Sequence, residues 1–362
     1  MNDRKNLKTT LPPQELLLIL EDLLTLIQEA IKSPRLDFRD PALSNDDYLT
    51  WTGWNIAQFD MMFDMLSPFL RSSCNREPRN ALAIFWIKAK TNLSFSQIGS
   101  LFNYTGDSEA RRKRVADTFD SVRILLVRNL VPLKLGVYHL TRDQALIHNT
   151  AFSKEFWDNK VTIIWDGTYI YIEKSSDHYL NRSTYSGQKC RHLVKFMSLV
   201  LPDGYALDTI GPFQGTANDA TIAQQIIETR NELLQWCDYG DIMICDRGFR
   251  DVIQTLGDLG YEVKSPAYLN KSQNQHNTAE ANESRLVTKV RWTVESYHGR
   301  MKKWRILSDR VENQLLPKIG DMVRIISAAL NAFRGPIMTN AQDAELHTIA
   351  KMMKDVLKKR LH

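Results

Sequence analysis

Apolar positions follow two rhythms along the chain. Up to about residue 150 they recur at three- and four-residue spacing, the period of helices. From about residue 160 they gather into short β-branched and aromatic runs closed by Gly, Pro and Asp, the mark of strands. After Pro12 and Pro13, "QELLLILEDLLTLIQEAIK" predicts one amphipathic helix ending before Pro34, placed in an N-terminal tail of residues 1–45. Such a helix either packs on the domain behind it or self-associates. Residues 46–150 read as all-helical.

Within that region, "SFSQIGSLFNYTGDSEARRKRVADTFDSVRILLV" has a helix-turn-helix rhythm. Ser94 or Ser96 can cap a short helix carrying Ile98, Leu101 and Phe102; "NYTG" turns, and a longer helix starts near Asp107. Arg111, Arg112, Lys113 and Arg114 fall in its first turns, where a recognition helix faces phosphates and base edges. A solvated basic face on an ordinary helical hairpin gives the same pattern, so both readings stand here.

Beyond residue 160, "TIIWDGTYIYI", "RHLVKFMSLVL" and, after "PDG", "YALDTIGPF" predict a three-stranded antiparallel meander. "NDATIAQQIIETRNELLQW" follows as a helix with Asn218 or Asp219 near its cap, then "DIMICD" as a short buried strand, "GFRDVIQTLGDLG" as a helix and "YEVKSPAY" as a strand. The polar "NKSQNQHNTAEANES" is expected to be an exposed loop, and a long helix is expected from about Ser284 to Leu307. Two terminal helices, 314–334 and 344–361, are expected to pack on the sheet. The order βββαβα β predicts an α/β fold: a ribonuclease-H-like mixed sheet with flanking helices, over residues 160–335, with a C-terminal helix in 336–362.

Chemistry enters through three acids. A bare carboxylate in an apolar strand is costly unless paired or coordinated, yet Asp166 interrupts "TIIWDGTYIYI" and Asp246 ends "DIMICD". Asp166 alone could open a turn with Gly167. Two strands with the same oddity weaken that reading, because the first and fourth strands of such a sheet are neighbours. Glu295, in "VRWTVESYHGRMKKW", lies on the late helix that crosses this end. Three converging carboxylates repel, and hard divalent cations, Mg²⁺ or Mn²⁺, resolve the repulsion; two such ions can drive phosphodiester cleavage. Arg291, one turn before Glu295, is expected to pair with it, and Lys302, Lys303 and Arg305 to extend a basic row suited to phosphates.

The 362 residues carry 47 basic and 42 acidic side chains, a net charge of +5, so the distribution of charge rather than its sum must argue for a polyanionic partner. The four cysteines, Cys74, Cys190, Cys237 and Cys245, are far apart and form no C-x-x-C pair, which suggests neither a zinc ribbon nor a disulfide framework and fits a reducing compartment. The apolar run "LLLIL" stops at Glu21; neither a secretory signal nor a membrane span is expected.

Taken together, "WDGTYIYIEKSS", "TYSGQKCRHLVK", "GPFQGTANDATI", "ICDRGFRD" and "VRWTVESYHGRMKKW" resemble the catalytic domain of Harbinger/PIF-type DDE transposases, the DDE superfamily endonuclease group of eukaryotic genomes. The resemblance covers roughly residues 160–335 and implies a DDE triad of Asp166, Asp246 and Glu295. It also implies two Mg²⁺ or Mn²⁺ ions, double-stranded DNA as substrate (transposon ends and target), and a homo-oligomer on DNA. A Myb-like partner protein and a nuclear location follow from the same likeness. His298 departs from the family's apolar or asparagine residue and is expected to be a local packing or DNA-contact change. Two other functions stay open: a captured transposase acting as a non-cutting DNA-binding or scaffold protein, and a ribonuclease-H-like nuclease acting on RNA or hybrids.

Overall fold

The computed structural model describes residues 12–32, 34–72, 77–268 and 278–358. The helical region consists of α1 (Pro13–Lys32), α2 (Asn45–Thr52), α3 (Ile56–Leu66), α4 (Pro78–Thr91), α5 (Phe95–Leu101), α6 (Ser108–Asn129), α7 (Val131–Lys134), α8 (Arg142–Ile147) and α9 (Ala151–Trp157). The sheet and its helices follow as β1 (Thr162–Tyr171), α10 (His178–Thr184), β2 (Tyr185–Ser186), β3 (Arg191–Val200), β4 (Ala206–Gln214), α11 (Asp219–Thr229), α12 (Asn231–Trp236) and β5 (Ile242–Ile244). A 3-10 turn over Arg247–Val252 leads to α13 (Ile253–Asp258), β6 (Glu262–Lys264), α14 (Thr278–Met301), α15 (Arg305–Ser308), α16 (Ile319–Phe333) and α17 (Asn340–Lys358).

The strands form one mixed sheet ordered β2-β3-β1-β5-β6, with β4 also paired to β3. β1, β3 and β4 make the antiparallel meander, while β5 runs parallel to β1 and β6 parallel to β5. This is the mixed, helix-flanked sheet of a ribonuclease-H-like fold. β1 is central and covered on both faces, which is why its sequence is a nearly unbroken apolar run rather than an alternation. Its even positions, Ile164 and Ile170, with Ile172 just past the strand, enter one core with α14 and α16; its odd positions, Ile163 and Trp165, enter a second core with α11.

The first of these cores does not stop at the sheet. It continues through α4, whose ten residues Asn80–Ala89 are all buried, into α2, α3 and α6. Trp54, Trp86 and Trp304 meet at its centre, with the Trp304 ring 4.8 Å from that of Trp54 and its Nε1 donating to the Thr52 carbonyl at 3.1 Å. Gln58 donates to Phe333 O and Arg334 to Gly53 O across the same seam, both at 2.7 Å. The helical region and the sheet therefore share one apolar interior.

Local signals account for the helix starts. Ser94 caps α5 in a reciprocal box with Gln97, and Asp107 caps α6 through Ala110 N–H. Several expectations are corrected. α1 does not pack on the domain: Leu16, Leu17, Leu18, Ile19, Leu20, Leu23, Leu24, Leu26 and Ile27 are all 47% exposed or more. α17 packs chiefly against α9 rather than the sheet, where Lys354 meets Glu155 at 3.0 Å. The late helix is α14, starting at Thr278 instead of Ser284; of the expected polar loop, residues 270–277 lie outside the described residues. It also ends early, at Met301, because the chain must turn to deliver Trp304 into the tryptophan cluster.

A shared core predicts shared unfolding. Trp304→Ala is expected to cost about 3–5 kcal/mol in chemical denaturation, with near-UV tryptophan and far-UV helical signals moving in one transition. Two separated transitions in the wild-type protein would show independent cores.

Candidate active site

The site is built by strand register. β1 and β5 pair in parallel as Thr162 with Ile242, Ile163 with Met243 and Ile164 with Ile244. Two residues further along each chain stand Asp166 and Asp246, so the register places them opposite each other with side chains on the same face. β5 ends at Ile244 while β1 runs on to Tyr171, which leaves this corner of the sheet open. Asp246 caps the following 3-10 turn by accepting from Gly248 N–H at 2.7 Å. The turn reading of a strand-end acid thus holds for Asp246; Asp166 instead sits within β1, paired to Ser198 of β3.

α14 lies over this corner. Arg291 donates to Asp166 Oδ1 at 2.9 Å, and His298 Nδ1 lies 3.5 Å from Asp166 Oδ2. Arg291 was expected on Glu295; it goes to Asp166. His298 was expected as a packing or DNA-contact change; it is buried, with Nε2 2.9 Å from Ser198 Oγ, so it contacts the strand acid rather than DNA. Burial, then the nearby Lys302 ammonium, push its pKa down to about 3, so the imidazole is neutral. Glu295 lies one turn after Arg291 and one turn before His298, on the same side of α14, and is exposed.

A fourth acid joins the group. Asp219 is the first residue of α11, immediately after the N-cap Asn218. A side chain on Gly167 would place its Cβ 2.7 Å from Asp219 Oδ1, and one on Gly248 would lie 3.6 Å from Asp219 Oδ2. Asp219 is therefore wedged between the backbones that follow Asp166 and Asp246. Lys195 Nζ, 3.4 Å away, partly balances it. Gly167 thus admits a carboxylate of the same chain. In sequence Asp219 resembles any helix-start acid; the glycines after both strand acids were the available signal.

The pKa of Asp166 is pushed up to about 6. Burial is the main cause, the Arg291 guanidinium opposes it, and Asp246 and Asp219 add to it. Among the described residues no three carboxylate, imidazole or thiol groups close around a single ion. The donor set nevertheless fits a hard divalent cation in kind: two facing carboxylates, a third beside them and an exposed glutamate on the helix above.

The other sequence candidates do not pair with these acids. Arg112 pairs with Glu109 at 2.6 Å, Arg114 donates to Thr105 O at 2.9 Å, and Arg111 packs beneath α5 at Gly99; Lys113 is exposed. Lys302, Lys303 and Arg305 are not a helical row, since α14 has ended: Lys302 turns to the Tyr169 ring, Lys303 is exposed, and Arg305 pairs with Asp309 at 3.2 Å.

Residues 165–331, which contain Asp166, Asp219, Asp246 and Glu295, match the family model described as DDE superfamily endonuclease. The match supports a DDE-type transposase family, with transposase-like nuclease activity on DNA; such domains generally use divalent metal ions. No curated protein and no solved structure matched the chain. No helix among the described residues is long and apolar enough to cross a membrane.

The raised Asp166 pKa sets a pH dependence. From 3.8 in the unfolded chain to about 6 in the fold, the folded protein binds the extra proton, so stability falls as pH rises through this window and the penalty is complete above it. Asp166→Asn in EDTA is therefore expected to be more stable than wild type at pH 7, by at most about 3 kcal/mol, and equal to it near pH 4. Thermal melts at both values check this; an advantage independent of pH would refute the assignment.

Proposed function

We propose that the chain is a Harbinger/PIF-type DDE transposase that cuts transposon-end DNA and transfers the freed strand, with Asp166, Asp246 and Glu295 as its catalytic and metal-binding acids. The observation that carries this reading is the facing of Asp166 and Asp246 across the β1–β5 register, beneath the helix that bears Glu295.

Asp166 and Asp246 would hold one divalent ion between them, with Glu295 contributing to a second. Mg²⁺ or Mn²⁺ bound there would lower the pKa of a water or 3′ hydroxyl and stabilise the leaving oxygen. The chain's own part is to aim these groups. His298, held by Ser198, stands as a neutral imidazole 3.5 Å from the far oxygen of Asp166, and the Gly248 N–H fixes Asp246. Arg291 neutralises Asp166 until cations take its place. The rigid central strand supplies the direction.

In the same reading α5 and α6 form a helix-turn-helix that meets DNA through Arg111, Arg112, Lys113 and Arg114. A homo-oligomer on DNA, a Myb-like partner and a nuclear location complete it. The exposed apolar side of α1 favours self-association.

One observation favours the non-cutting alternative: Asp166 is engaged by Arg291, as it would be in a captured transposase that keeps the fold without the reaction. A nicking assay on linear DNA bearing candidate terminal repeats decides between them. The expected result is Mg²⁺-dependent product, abolished by EDTA and reduced at least about a thousandfold by Asp246→Asn or Glu295→Gln. DNA binding without metal-dependent product supports the alternative.

A further inference from the structure

Beyond the acids, β1 carries Tyr169 and Tyr171, whose rings meet edge to face with centroids 5.2 Å apart. A strand advances about 3.3 Å per residue and alternates its faces, so the two lie about 10 and 17 Å along β1 from Asp166, on the opposite face of the strand. Three cations rest on these rings. Nζ of Lys302 is 4.6 Å and Nζ of Lys189 is 5.3 Å from the Tyr169 centroid, and Cζ of Arg191 is 5.2 Å from that of Tyr171. Lys302 follows His298 by one turn, its N–H bonded to the His298 carbonyl at 3.0 Å, which ties this strip to the acids.

Among the described residues none of these three cations pairs with a carboxylate, whereas Lys195 of β3, which pairs with Tyr169 in the sheet, meets Asp219 at 3.4 Å. Two ammonium groups on one ring repel each other, and burial followed by Lys189 lowers the pKa of Lys302. Past Tyr171 the surface continues into a hollow of about 550 Å³ that includes Lys174, His192 and Arg310. A second, of about 530 Å³, adds His178 and Arg182. No carboxylate lines either hollow. The cation–π contacts hold flexible side chains toward this face, and a row of cations without anions is the footprint of a polyanion.

We propose that this strip is a phosphate track for the DNA strand leading away from the cleavage site, with Lys302, Lys189 and Arg191 neutralising its phosphates in turn. The choice of DNA as the polyanion rests on the function proposed above. The alternative is a solvated basic face with no ligand.

Anisotropy of a fluorescent DNA duplex in EDTA measures binding without cleavage. Lys189→Gln with Arg191→Gln, both exposed and outside the acid cluster, is expected to weaken binding about tenfold at 0.1 M salt and to flatten the slope of log K against log salt by about two. Lys134→Gln with Lys351→Gln, two exposed lysines elsewhere, should leave both quantities near wild type. Loss equal in the two double variants, or no loss in the first, overturns the track while leaving the nuclease reading intact. A wild-type protein that binds no DNA overturns both.

Discussion

Two carboxylates on neighbouring strands repel, and the parallel register of β1 and β5 leaves them no way to separate. Asp166 and Asp246 occupy equivalent places beyond the last paired residues, Ile164 and Ile244. Slipping the register by one residue would turn every side chain of β5 to the other face and bury the wrong set. The apolar positions of β5 therefore hold the acids together, and the groups around them answer the charge this creates: Arg291 on Asp166, Gly248 N–H on Asp246, and Lys195 on the neighbouring Asp219. Burial, with Asp246 and Asp219 adding to it against Arg291, holds the Asp166 pKa well above the ordinary carboxylate range. The gathered carboxylate oxygens are what a hard cation would use.

The position of α14 depends on a different force. The helix reaches the acids with Arg291 and His298 and the core with Val290, Val294 and Tyr297, the last bonded to Thr209 at 3.0 Å and Ser327 at 2.7 Å. Just after it, Trp304 enters the cluster of Trp54 and Trp86 supplied by the helical region. Packing with the helical region thus anchors the chain immediately after the helix that bears Glu295. A region that reads in sequence as a separate DNA-binding unit also supports the geometry of the site.

Legibility followed how local each signal was. The meander, the strand ending in "MICD" and the caps at Ser94 and Asp107 were readable because β-branched runs and short side-chain caps act within a few residues. Asp166 and Asp246 were readable because an acid in an apolar strand is conspicuous. Asp219 was not, since an acid in the first turn of a helix needs no special cause; only its wedging between Gly167 and Gly248 sets it apart. The periodicity of α1 says that a face can be buried and cannot say against what, and the structure leaves that face exposed. Nothing local in "GRMKKWRIL" ends a helix at Met301; the tertiary demand on Trp304 does so, and it carries Lys302, Lys303 and Arg305 off the expected row.

The account rests on the facing acids forming a cation site rather than a structural ion-pair network. Calorimetric titration of Mn²⁺ into the metal-free protein at pH 7 tests this directly. The account predicts saturable binding in the wild type and loss of that binding in Asp246→Asn. Equal binding in the two proteins, or none in a correctly folded wild type, would contradict it.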